Sequence, residues 1–248
     1  MRDGVPRLRM FAGPNGSGKS TVKNNLHKAM DWYGIYINPD ELEKEILSTG
    51  MLPLDRFGFD ASADEVRRHF SSSTLLQMHG LHRDSSRIQC RNACIDFSGI
   101  AFNSYHASAL SDWLRRRAMQ DRRSFSFETV MSSADKVDLL REALKLGYRT
   151  YLYFIATEDP AINVQRVKLR FAQGGHDVPE SKIVERYHRS LKLCADAVLA
   201  SSRAFFFDTS GDEAVYFAEA VNGNELVIHS EEIPGWFEPI WSRLIPKR

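Results

Sequence analysis

Short apolar runs alternate with amphipathic stretches along most of the chain. The first run ends in Met10-Phe11-Ala12 and predicts a strand over residues 7–12. Val22, Leu26 and Ala29 follow at helical spacing and predict a helix over residues 19–30. Gly34-Ile35-Tyr36-Ile37-Asn38 reads as a second buried strand. Pro39 and Asp40 open a helix over residues 41–47, which Ser48-Thr49-Gly50 ends. Residues 51–107 carry the weakest pattern: 64–69 read as helical, Ser71-Ser72-Ser73 as a break or cap, and 83–87 as a loop. A helix over 105–119 turns Leu110, Trp113, Leu114 and Ala118 inward.

Past that helix the alternation becomes clear again. Residues 124–127 lead a strand into Glu128-Thr129, and a helix over 135–146 closes at Gly147. Residues 150–156 form a continuous apolar run, as a central parallel strand does. Asp159-Pro160 caps a helix to about residue 172. Pro179 starts another, with Ile183, Tyr187, Leu191, Cys194 and Val198 as its stripe. Residues 204–207 and 226–228 are further strands, and the tail over 234–248 reads as a helix or an irregular cover. The alternation of strand and helix predicts an α/β fold, with a parallel sheet flanked by helices.

One loop in this pattern carries chemistry. Gly13-Pro14-Asn15-Gly16-Ser17-Gly18-Lys19-Ser20, followed by Thr21, fits the phosphate-binding P-loop and lies between a predicted strand and helix. Its backbone N–H groups and the positive end of the helix form a concavity for a polyphosphate. Lys19 would bridge the terminal phosphates and the Ser20 hydroxyl would bind Mg²⁺.

Ligands of open α/β sheets sit beyond the carboxyl ends of the strands, where the pattern places Asp40, Glu128 and Asp208-Thr209-Ser210. Asp40 has two readings. It is a general base for an acceptor hydroxyl, or an N-cap or first-turn acid favoured by the helix dipole. Glu128 reaches Mg²⁺ through water or binds substrate hydroxyls; alternatively it is a strand-end acid bonded to local backbone. Arg166 and Arg170 share one helix face, and Arg186 and Arg189 share a face of the next. With Gly174-Gly175 between them as a hinge, residues 160–200 suit a lid over the triphosphate. Two solvated amphipathic helices are the alternative. His176 reads as bonded within the turn.

Composition narrows the classes. The chain has 248 residues, 43% hydrophobic and 26% charged, with a net charge of +1. That is the balance of a globular protein, and it gives no overall signal for nucleic acid. Arg115-Arg116-Arg117 and Arg122-Arg123 are either a solvated face or an anion-binding patch. The first residues lack the apolar core of a signal peptide, and no run has membrane-spanning length. Three cysteines do not form a disulfide framework. These features predict a cytoplasmic protein without membrane contact. Cys90 and Cys94, downstream of His79 and His82, lack a standard zinc spacing and read as helical neighbours.

Four blocks in order resemble the zeta-toxin-like P-loop kinases: residues 12–21, Asn38-Pro39-Asp40-Glu41, Phe127-Glu128-Thr129, and Gly174-Gly175-His176-Asp177-Val178-Pro179. The resemblance implies a nucleotide-kinase-like fold, with ATP and Mg²⁺ as cofactors and UDP-N-acetylglucosamine or a similar sugar nucleotide as acceptor. It places Lys19 on the phosphates, Asp40 as base, Glu128 and Thr129 near the substrate, and lid arginines on the γ-phosphate. Of these, Arg166 and Arg170 are assigned to the phosphoryl group and Arg186 to the substrate. It also implies an antitoxin as a candidate partner. On this reading residues 1–248 form a single kinase domain with 55–104 as an insertion. A kinase of nucleic-acid ends or another metabolite, and an ATPase without acceptor, are the alternatives.

Overall fold

The computed structural model describes residues 4–27, 34–91, 93–173, 178–223 and 225–244. In chain order its elements are β1 (Arg7–Ala12), α1 (Lys19–His27), β2 (Ile35–Ile37), α2 (Pro39–Thr49), β3 (Met51–Pro53), α3 (Ala63–Ser72), α4 (Thr74–Met78), β4 (Gln89–Arg91), β5 (Cys94–Asp96) and α5 (Ser104–Gln120). Then follow β6 (Phe125–Thr129), α6 (Asp135–Lys145), β7 (Arg149–Ala156), α7 (Pro160–Ala172), α8 (Glu180–Leu199), β8 (Arg203–Asp208), β9 (Val215–Val221), β10 (Glu225–Ile228) and α9 (Glu238–Leu244). Two compact units emerge: Met1–Tyr33 with Ser126–Arg248, and Gly34–Phe125. The fold is α/β, with parallel strands flanked by helices.

In the first unit the strands follow the order β10-β9-β8-β7-β1-β6. β1 pairs with β7, and β7 with β8, in parallel. Register sets Phe11 beside Tyr153 and Tyr153 beside Phe205, and the rings stack at 4.6 and 4.9 Å between centroids. Val22 of α1 is buried against Phe11, Tyr153 and Ile155, which presses the first helix onto the strand it follows. The sheet is mixed, not parallel throughout: β9 runs antiparallel to both β8 and β10. β9 was not predicted because Val215-Tyr216-Phe217-Ala218-Glu219-Ala220-Val221 puts a carboxylate among small and aromatic residues, a pattern without clear period. Tertiary contact resolves it, since the Arg203 guanidinium on β8 grips Glu219 at 2.8 Å.

The tail is a cover. A 3₁₀ turn over Gly235–Phe237 leads into α9, and the Phe237 and Phe206 rings lie 4.6 Å apart. Phe237 is fully buried, which contributes about 1.5–3 kcal/mol relative to exposure. α7 opens at Asp159, whose carboxylate accepts from the Ala161 N–H at 2.7 Å, with Pro160 at the first position. α7 and α8 meet through Val164, Val167 and Ile183. The proposed hinge Gly174-Gly175, with His176, lies outside the described residues, as do residues 28–30 of the first predicted helix.

In the second unit, Asn38 caps α2 and Gly50 ends it at φ 73°, in the left-handed region. Residues 51–53, 89–91 and 94–96 form a three-stranded antiparallel sheet, β3-β5-β4. These strands are three residues each and, unlike the Ile-Tyr-Ile of β2, carry no run of β-branched and aromatic residues, so the sequence pattern missed them. Residues 83–87 are not a loop but part of a 3₁₀ helix over Leu81–Arg87. Cys90 and Cys94 are not helical neighbours: Cys90 stands opposite Ile95 and Cys94 opposite Arg91 in a hairpin. α5 buries Leu110, Trp113, Leu114 and Ala118 as expected. No helix among the described residues is long and apolar enough to cross a membrane.

Candidate functional site

The P-loop lies wholly within the first unit. β1 ends at Ala12, and Gly13 turns the chain at φ 147°. A Cβ there would lie 1.9 Å from the Ile155 carbonyl, so the turn against β7 admits glycine alone. Gly13 N–H donates to the Thr129 carbonyl at 3.3 Å, tying the loop to the end of β6. α1 begins at Lys19 with no acid in its first turn, which leaves its positive end facing the loop.

The side chains of α1 set the chemistry. Lys19 Nζ donates to the Gly13 and Pro14 carbonyls at 2.9 and 2.7 Å, so the ammonium lies across the loop. One turn of helix brings Ser20 and Lys23 to the same side. Ser20 Oγ donates to Glu128 Oε2 at 2.7 Å, and Lys23 Nζ lies 3.3 Å from Glu128 Oε1. The Lys23 and Glu128 side chains are 11% and 10% exposed, so this pair is screened little by solvent. A hydroxyl beside a carboxylate is a hard oxygen donor set of the kind Mg²⁺ takes, with Ser20 and Glu128 as the residues that fit it. Thr129, expected near substrate, has its hydroxyl oxygen accepting the Met131 N–H at 3.1 Å.

Polar groups from α7 and the ends of β7 and β8 back the loop. Asn163 Nδ2 donates to the Asn15 carbonyl at 2.6 Å. Thr209 Oγ1 lies 2.9 Å from the Ser17 carbonyl and 3.1 Å from that of Ala156. Tyr187 of α8 donates to the Thr157 carbonyl at 2.6 Å. Burial, with Glu158, Asp159 and Asp208 nearby, pushes its phenol up to about 12, so it stays a neutral donor.

The other expected residues fall as follows. Arg166 donates to the Gly211 carbonyl at 3.1 Å, in the turn after β8. Arg170 is exposed in the last turn of α7, and Arg186 is half-buried on α8. Arg189 pairs with Glu185 on its own helix at 3.1 Å. Asp40, in the second unit, is exposed in the first turn of α2. It is not the N-cap, since Asn38 Oδ1 takes that place and accepts the Asp40 N–H at 2.9 Å.

Two residues were missed. Lys23 had a signal, its spacing of four from Lys19. Asn163 had none, because its partner is 148 positions away.

Residues 98–217 match the family model for zeta toxin. The AvrRxo1-ORF1:-ORF2 structure with ATP is 15% identical and covers 99% of this chain, with a TM-score of 0.53. This chain spans 65% of that one. The native AvrRxo1-ORF1:-ORF2 complex is 14% identical, covering 98% of this chain and 72% of that one, with a TM-score of 0.52. The PezAT chromosomal toxin-antitoxin system of Streptococcus pneumoniae is 13% identical, covering 86% and 72%, with a TM-score of 0.48. At 14–15% identity the likeness to the two AvrRxo1 structures is one of fold. No curated protein matches the chain.

Proposed function

We infer that this chain, a zeta-toxin-like P-loop kinase, transfers the γ-phosphate of ATP to a hydroxyl of a small acceptor. UDP-N-acetylglucosamine or a similar sugar nucleotide is the acceptor we propose. The observation that carries the reading is the Ser20–Glu128 bond at 2.7 Å, flanked by Lys19 and Lys23 on the first turns of α1. This is the grouping of hydroxyl, carboxylate and cations that a bound triphosphate requires.

In the proposed mechanism the loop amides and Lys19 hold the phosphates. Ser20 and Glu128 would hold Mg²⁺, which when bound neutralises charge on the phosphate oxygens. Lys23, 3.3 Å from Glu128 Oε1, holds that carboxylate in place beside Ser20. Asp40 takes the proton of the acceptor hydroxyl as its oxygen bonds to the γ-phosphorus, and the bond from that phosphorus to ADP breaks. Exposure of Asp40 leaves its carboxylate open to an acceptor hydroxyl, which supports its assignment as base. The N-cap role is filled by Asn38, and the place of Asp40 in the first turn of α2 also fits an acid favoured by the helix dipole. Arg166, Arg170 and Arg186 are proposed as lid residues in the 160–200 region, and Thr129 as a wall of the acceptor pocket. We place residues 55–104 as an insertion that shapes acceptor choice. A cytoplasmic location, read from the three cysteines without a disulfide framework, and an antitoxin partner, which rests on the family match, belong to the same proposal.

Incubation with labelled ATP and a panel of sugar nucleotides, nucleosides and oligonucleotides, read by mass shift, tests the reading. A shift on a sugar nucleotide is expected. No shift on any acceptor would sink the kinase reading, and full activity in Asp40→Asn would remove the base.

A further inference from the structure

Asn163 is fully buried in the first turn of α7, a place where an apolar residue would pack without cost. Both ends of its amide are used. Nδ2 donates to the Asn15 carbonyl at 2.6 Å, and Oδ1 accepts from the Thr157 hydroxyl. The Thr157 carbonyl in turn accepts from Tyr187 of α8. The loop also rests on the Asn163 backbone, since a Cβ on Gly16 would lie 2.6 Å from its carbonyl oxygen. Two independent contacts therefore seat the middle of the P-loop on α7. One turn further along that helix, Arg166 holds the Gly211 carbonyl.

We propose that Asn163 is a positioning residue, which fixes the curvature of the phosphate loop against α7 and so sets its affinity for nucleotide phosphates. This rests on the reading that ATP binds the loop. Its amide is suited to the task because donor and acceptor point in opposite directions, and both are satisfied in a buried site. Asn163→Asp keeps the shape and replaces the donor with an acceptor that faces the Asn15 carbonyl. Asn163→Ala leaves that carbonyl without its partner.

The test is ATP binding by calorimetry on the full chain, alongside steady-state kinetics and melting without nucleotide. Asn163→Asp should weaken ATP binding about tenfold or more, a buried carbonyl having lost its donor. KM for ATP should rise while KM for the acceptor stays put, and the melting gain on adding ATP should shrink. A protein merely loosened by the change would instead melt lower and show both KM values altered, which would overturn the proposal. ATP affinity equal to wild type in both variants would also overturn it. Where Asn163→Asp does not fold, Thr157→Val, which removes the hydroxyl that orients the Asn163 amide, decides: weaker ATP binding supports the proposal, and unchanged binding overturns it. A wild-type chain that binds no ATP overturns the functional reading itself, and this inference with it.

Discussion

The loop after β1 and the arginine run of α5 both look, in sequence, like places for an anion. They differ in what each charge meets. At the loop, Lys19 bonds to backbone carbonyls and Lys23 to Glu128, beside the unopposed first turn of α1. In α5, Arg116 meets Asp112 at 2.8 Å, and Arg117 meets Asp121 at 3.0 Å and Glu65 at 3.2 Å. Those guanidinium groups tie α5 to itself and to α3. A cluster of positive residues is thus a weak guide to anion binding. Local acids and oriented backbone N–H groups decide what the cluster does.

Substitutions can break that contrast. The largest effect expected is at Lys19. Lys19→Ala should lower kcat/KM roughly 10²- to 10³-fold, the range for loss of one group that stabilises developing charge. Arg116→Ala should leave it unchanged, and an equal loss in both would erase the distinction. Next is Glu128→Gln, expected to reduce turnover about 10- to 100-fold and to raise the Mg²⁺ concentration needed for half-maximal rate. A Mg²⁺ titration that does not move would separate Glu128 from the metal.

A pH experiment sharpens the other side. Burial in the second unit pushes the His106 imidazole below its ordinary value of 6.5, against the pull of Asp84. The unfolded chain then binds a proton before the folded one does. Stability should fall as pH drops below about 6.5, and level off once the folded imidazole also protonates. Unfolding midpoints between pH 7.5 and 5 check this, and His106→Gln should flatten the profile. The smallest effect is at Arg117. Its pairs are part-exposed, so Arg117→Ala should cost about 0.2–1 kcal/mol in urea unfolding with catalysis untouched.

Much of the frame was legible because its signals are local. The 7–12 strand appears over Arg7–Ala12, and the Asp159-Pro160 cap opens α7 as expected. The missed strands were short and without a β-branched or aromatic run, as in β3 to β5, or mixed in pattern, as in β9. At the site, the loop, Ser20 and Glu128 were each named from sequence, but the bond between the last two was not.

By itself, the order of residues determined a strand, a glycine turn and a helix with a lysine and a serine at its start. Those depend on backbone freedom and on periods of a few residues. Tertiary structure alone decided that Glu128 meets Ser20 across 108 positions and that Asn163 meets Asn15 across 148. Such pairs form where parallel strands bring their carboxyl ends side by side, and that adjacency is a property of the sheet order, not of any stretch of chain.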